Sequence, residues 1–183
     1  MSKPSILLIS HGNFEMDFVE KIAREIARVF ASPVHIEFSH MDLNEFYDPI
    51  RRQYNANSIL NTIDSRSPEL HLKNIGIFKV DLFIPILTYI FGQAALNGSA
   101  GVASLYRLRN EHYGIKKDEN LLLERFTKVI IHELGHMFGL IHCKNPICVM
   151  RSSTYVEDID QKNQNFCIQC RSSIVHLSPG DFI

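Results

Sequence analysis

The stretch from His132 to Cys148, H-E-L-G-H-M-F-G-L-I-H-C-K-N-P-I-C, constrains this chain more than any other. Residues four apart share one face of a helix, so His132 and His136 can both reach a single metal ion, and neutral imidazole is a good zinc ligand. Glu133, one position on, is placed to act on a water held by that metal. If the helix ran on from His136 to His142, it would turn about 240° and climb about 9 Å, and His142 would miss the ion. Gly139 offers the way out. Glycine adopts the left-handed conformation that ends helices, so the chain can leave the helix there and swing His142 back. Three histidines then hold the metal and leave a position open for water, the catalytic rather than the closed structural arrangement of zinc. The plainer alternative is a buried amphipathic helix with incidental histidines. With residue frequencies of a few per cent, these five fixed positions recur by chance on the order of 10⁻⁵ times per chain, which disfavours that alternative.

The four cysteines form a second constellation. Cys143 and Cys148 are spaced C-x4-C, and Cys167 and Cys170 are spaced C-x2-C. Two such pairs with a short spacer read as a structural zinc site with four thiolate ligands. Two disulfides, or four reduced thiols, are the alternatives, and disulfides belong to exported proteins. Cys143 directly follows His142, so a ligand of one ion is covalently adjacent to a ligand of the other. The four-cysteine site is therefore expected to anchor the returning segment and orient His142.

With these residues in view, the sequence resembles the metzincin metalloproteases, and within them the archaemetzincins, whose pattern is HExxHxxGxxHCx4CxM followed by CxxC. It is carried here by His132, Glu133, His136, Gly139, His142, Cys143, Cys148 and Met150, then by Cys167 and Cys170. The upstream run from Asp81 to Gly92 is also similar. The resemblance implies an α/β (α+β) metzincin-like zincin fold: a mixed twisted sheet with an antiparallel edge strand, a central active-site helix, and a small C-terminal subdomain with a four-cysteine zinc site. It implies a catalytic zinc on the three histidines, a structural zinc on the four cysteines, and Met150 as the methionine turn beneath the catalytic site. Other metzincins carry a tyrosine two residues after that methionine. Ser152 stands there in this chain, so tyrosine assistance would have to come from elsewhere, for instance Tyr155.

At 183 residues the chain is expected to be one catalytic domain, residues 1–183, with a sheet and active-site helix over 1–139 and a zinc-stabilised part over 140–183. Its 19 Lys and Arg against 20 Asp and Glu give a formal net charge of −1, which excludes the basic excess that nucleic acid or an anionic membrane surface would need. The first residues are too weakly apolar for a signal peptide, and Leu82–Phe91 is too short for a membrane span and contains Pro85. The expected setting is cytoplasmic and the expected state a monomer, acting on peptide or protein substrates.

Along the chain, Ile6–Ile9 is a continuous apolar run, the mark of a buried parallel strand. Glu15–Phe30 is an amphipathic helix with Phe18, Val19, Ile22, Ala23, Ile26 and Phe30 in one stripe. Pro33 opens a second strand reaching about Ser39. Asp48-Pro49 reads as an N-cap and first helical residue, predicting a helix from about Pro49 towards Ile63, broken or loosened around Asn55–Ser58. A loop over 65–68 and a third strand over Ile75–Leu82 follow. Thr88–Ala95 and Gly101–Leu108 flank Asn97-Gly98, a hairpin signal, and by resemblance the first of them is the sheet edge above the cleft, where an extended peptide can add as a strand. Asp118 or Asn120 caps the active-site helix from about Glu119 to Phe138. Gly135 inside it costs about 1 kcal/mol relative to alanine, so something is expected to pack closely there. Beyond Gly139 the chain reads as loops, with one helical turn within Glu157–Gln164 and a tail at Pro179-Gly180. The remaining histidines, His11, His35, His40, His71, His112 and His176, read as polar surface, with His11 at its strand end also a candidate active-site neighbour and His112 and Tyr113 candidates for the cleft rim.

The chemistry these residues imply is zinc-dependent hydrolysis of a peptide bond with Glu133 as general base. Two alternatives stand beside it: aminopeptidase-type action on short peptides, which needs an acidic group to catch the free amine, and a low-turnover peptide-binding module. A module without turnover has no need of Glu133.

Overall fold

The computed structural model describes residues 5–65 and 73–177, with side chains to residue 174. The expected loop beyond Ser65, His71, the side chain of His176 and the tail at Pro179-Gly180 lie outside them.

The chain alternates strand and helix at first. β1 (Ile6–His11) leads through α1 (Met16–Phe30) to β2 (Val34–Ser39). Two short strands, β3 (Tyr47–Asp48) and β4 (Gln53–Asn55), precede α2 (Ala56–Ser65). β5 (Lys73–Phe78), β6 (Leu82–Phe83), β7 (Gly92–Ala94) and β8 (Ala100–Ser104) follow, then the long α3 (Glu119–Met137), and finally α4 (Val156–Asp160) and α5 (Ile168–Leu177).

Five strands form a mixed sheet in the order β2-β1-β5-β8-β7. β1, β2, β5 and β8 run parallel, while β7 pairs antiparallel with β8 and is the edge. Parallel strands covered on both faces should be apolar throughout, and β1 and β5 are buried at every position. Successive residues of β1 serve opposite sides: Ile6 and Leu8 join the core under α1 and α3, Leu7 and Ile9 the core under α2. The result is a three-layer α/β sandwich with α3 lying on β7 and β8.

Three sequence expectations are corrected. Asp48-Pro49 starts a turn, not a helix. The Asp48 carboxylate accepts from the backbone N–H of Ile50 (2.9 Å) and Arg51 (3.0 Å), and Arg52 adopts φ 56°, a left-handed conformation that reverses the chain into β4. The helix begins only at Ala56, where the Asn55 side chain accepts from Asn57 N–H at 3.0 Å. Second, the segment after Gly139 holds more than the one expected helical turn: besides α4, α5 carries Cys170 on a helix of its own. The predicted third strand also ends early, at Phe78, and Leu82 belongs to the three-stranded ribbon β3-β4-β6.

Among the described residues no helix is long and apolar enough to cross a membrane.

Candidate metal centre and cleft

α3 is capped as expected: Asp118 accepts from Leu121 N–H at 2.9 Å. The helix is apolar nearly all round because it is covered by the sheet on one side and by the C-terminal segment on the other. Arg125 ties that segment down with two bonds to the Asp160 carboxylate, 2.7 and 2.6 Å.

At the far end, Gly139 takes φ 89°. Its N–H donates to His136 O and Leu140 N–H donates to Gly135 O, both at 2.9 Å. This crossed pair is the glycine-terminated helix end, which satisfies the last carbonyls and turns the chain. The turn has a chemical consequence, because it brings Leu140 O to 2.7 Å from His136 Nδ1. His132 Nδ1 likewise faces Val149 O at 2.8 Å. A carbonyl can only accept, so both Nδ1 atoms carry hydrogen and both Nε2 atoms present lone pairs to the cleft. The two Nε2 atoms are 3.0 Å apart. His142 returns as the sequence required, its ring centroid 5.3 Å from that of His132 and 5.0 Å from that of His136. The ligand atoms of all three lie within 4.8 Å of one another. Tetrahedral zinc–imidazole bonds set nitrogens about 3.3 Å apart, so this donor set fits zinc with little adjustment.

Burial holds all three imidazoles neutral, pushing their pKa values below 6.5, with His132 the most affected. Glu133 is buried too, and desolvation lifts its carboxyl to about 8 while the charge of Lys162 pulls the other way. Met150 is fully buried beneath the helix. A Cβ at Gly135 would collide with Met150 Sδ and come within 3.2 Å of Phe166 Cε1, the close packing expected there.

The four thiols also cluster within 4.8 Å, with Cys143 Sγ and Cys167 Sγ 3.8 Å apart. Tetrahedral zinc–thiolate bonds of about 2.3 Å place sulfurs about 3.8 Å apart, so this set also suits zinc. The Cys170 backbone amide holds the Cys167 thiol down to about 7, while burial raises those of Cys148 and Cys170. Cys143 N–H donates to Met150 O at 2.9 Å, joining the sulfur cluster to the segment under the histidines.

The histidines and Glu133 open into a cleft of about 530 Å³, walled by the stretch from Leu87 to Ala94 on one side and by 152–155, Ile159 and Lys162 on the other. Tyr89 Oη donates to Thr154 O at 3.0 Å across it. Tyr155 lines the cleft and is largely exposed. His112 does not line it: its ring packs between Tyr106 and Tyr113. Two contributors were not singled out from sequence. Gly92 packs directly on Glu133, and Lys162 enters from a segment read as a polar turn. Neither carries a local pattern, since both meet the site only through tertiary packing.

A buried helix presenting two imidazoles and a carboxylate, with a third imidazole folded back beside an edge strand, defines a zinc-dependent peptidase. The model of peptidase family M54 matches residues 12–176, and the chain belongs to that family. It is 39% identical over 130 residues to an archaemetzincin of Thermococcus kodakarensis, covering 70% of each chain. In three dimensions it matches the crystal structure of the archaemetzincin of Methanopyrus kandleri with a TM-score of 0.84 and 31% identity, covering 95% of both chains. A zinc-dependent peptidase from Methanocorpusculum labreanum matches with a TM-score of 0.84 and 28% identity, over 93% of this chain and 100% of that one.

Proposed function

We propose that the chain is one catalytic unit that cleaves peptide bonds within a chain, with zinc held by His132, His136 and His142, a second zinc held by Cys143, Cys148, Cys167 and Cys170, and Glu133 as the general base. The convergence of three neutral imidazole ligand atoms beside a buried carboxylate carries this reading. Zinc at that position supplies Lewis acidity, which polarises a carbonyl and acidifies a water. Glu133 accepts the proton of the attacking water on its carboxylate and hands it to the leaving amine. The two backbone carbonyls behind His132 and His136 fix the tautomer that leaves each Nε2 free. The edge strand β7 offers unpaired main-chain groups to an extended substrate. Gly139 and Met150 support the arrangement, the one by returning His142 and the other by filling the space under the helix.

Internal cleavage is favoured over aminopeptidase action by the cleft's charges. Glu133 is the only carboxylate among the described lining residues, so no second acidic group is there to hold a free α-amine. The low-turnover binding module is disfavoured because peptide binding alone does not require a carboxylate buried beside three converging imidazoles.

The test is a peptide-library digest read by mass spectrometry, with zinc-loaded protein, with chelator, and with Glu133→Ala. Reproducible cuts that vanish with chelator and with the variant support the reading. Peptide binding without any cuts would leave the module in its place.

A further inference from the structure

Lys162 is 4% exposed, yet it sits in the wall of the cleft. Its ammonium donates to Arg151 O at 2.7 Å. An ammonium has three donor hydrogens, and no other bond from this one is made among the described residues. The contrast with its neighbours is informative. Arg125 and Lys128, buried to the same degree, are paired with Asp160 and Glu124. Among the described residues Lys162 has no carboxylate within ion-pair distance. Two apolar side chains line the cleft with it: Val129, one helical turn before Glu133, and the fully buried Ile159. Burial lowers the ammonium to about 8, so it stays mostly charged at neutral pH.

We propose that Lys162 makes the cleft selective for an acidic side chain on the residue that follows the scissile bond. This rests on the peptidase reading above and names its substrate class. The side of the bond follows from the chemistry. Glu133 delivers the proton to the leaving nitrogen, so the residue carrying that nitrogen lies against Glu133. Lys128 Nζ donates to Ile159 O at 3.2 Å, so the segment that carries Ile159 and Lys162 packs on the turn of α3 just before Glu133, which puts the lysine's part of the cleft on the Glu133 side. An aspartate or glutamate there supplies the missing counter-charge through charge-assisted hydrogen bonds beside those two apolar side chains. A neutral side chain leaves the ammonium buried and unpaired, and a basic one adds repulsion. The expected preference for glutamate over leucine at this position is about tenfold to a hundredfold in kcat/KM.

The experiment compares acetyl-Ala-Ala-Xaa-Ala amides, with Xaa as Glu, Asp, Leu or Lys, alongside the library digest of the zinc-loaded full chain. Acidic residues are expected immediately after the cuts. The glutamate-to-leucine ratio should fall to about one in Lys162→Met, persist in Lys162→Arg, and reverse in favour of lysine in Lys162→Glu, with zinc content and melting curves recorded for each variant. A second readout is binding of the same peptides, fluorescently labelled, to Glu133→Gln by anisotropy. Cuts in the wild type without acidic preference overturn the inference and leave the peptidase reading standing. If the wild type cuts nothing, the peptidase reading falls, and equal binding of the glutamate and leucine peptides overturns the selectivity as well.

Discussion

Gly92 of the edge strand lies directly on Glu133 of the active-site helix. A Cβ on Gly92 would stand 2.7 Å from Glu133 Cγ, 2.8 Å from its Oε1 and 2.8 Å from Val102 O. The Val102 carbonyl is part of the β8 ladder, so β7 would have to shift away from it and the glutamate would be displaced as well. Gly92→Ala is therefore expected to lower Tm, and in the folded, zinc-loaded fraction kcat/KM should fall about tenfold to a hundredfold, the penalty for displacing a catalytic group by an ångström or less. Steady-state kinetics with metal analysis check this, and an unchanged rate would show that Glu133 does not depend on the gap.

The helix over Met150 has a similar constraint. Gly135→Ala gains about 1 kcal/mol in helix propensity, but its methyl group meets Met150 Sδ, and overpacking of this kind costs about 1–3 kcal/mol. The expected net result is a lower Tm. Adding Met150→Ala should recover the propensity gain, so the two substitutions should be coupled in a double-mutant cycle. Simple additivity would argue against direct contact.

The sulfur cluster should govern the imidazole site. Cys143 is covalently next to His142, and its N–H holds Met150 O. Cys167→Ser is expected to lower zinc occupancy at both sites, measured by elemental analysis and by cobalt substitution, which reports thiolate and imidazole ligation through different absorption bands. Full occupancy of the histidine site in a folded variant would sever the link.

Proton competition should set in late. A base whose pKa is lowered stays neutral to lower pH, and burial lowers His132, His136 and His142 below 6.5. Zinc affinity of the histidine site, measured against a chromophoric chelator, should be nearly independent of imidazole protonation above pH 6.5 and weaken as pH falls through the depressed values. A decline that begins well above pH 6.5 would contradict the burial argument.

Much of this was legible because the signals are local. The α1 stripe from Val19 to Ile26 and the unbroken apolar run of β1 each carry their own period. The return of His142 follows from Gly139 and helix geometry alone. Where the reading failed, tertiary context decided. Asp48-Pro49 carries the chemistry of a helix start, yet Arg52 in a left-handed conformation and the pairing of β3 with β4 turn it into a reversal. α5 is short and exposed on much of its surface, so it lacks an apolar stripe to announce it. Gly92 and Lys162 touch Glu133's surroundings from distant parts of the chain, and no spacing rule links them.

The edge strand β7 is only three residues long. At about 3.3 Å per residue it could hold about 10 Å of a docked peptide by main-chain bonds alone. If substrate docks there as proposed, so short a rail would secure direction but little sequence, and would let fragments slip free once cut. Discrimination must then fall to the side chains that dip below it, so loop swaps that lengthen the rail would tighten grip without changing taste.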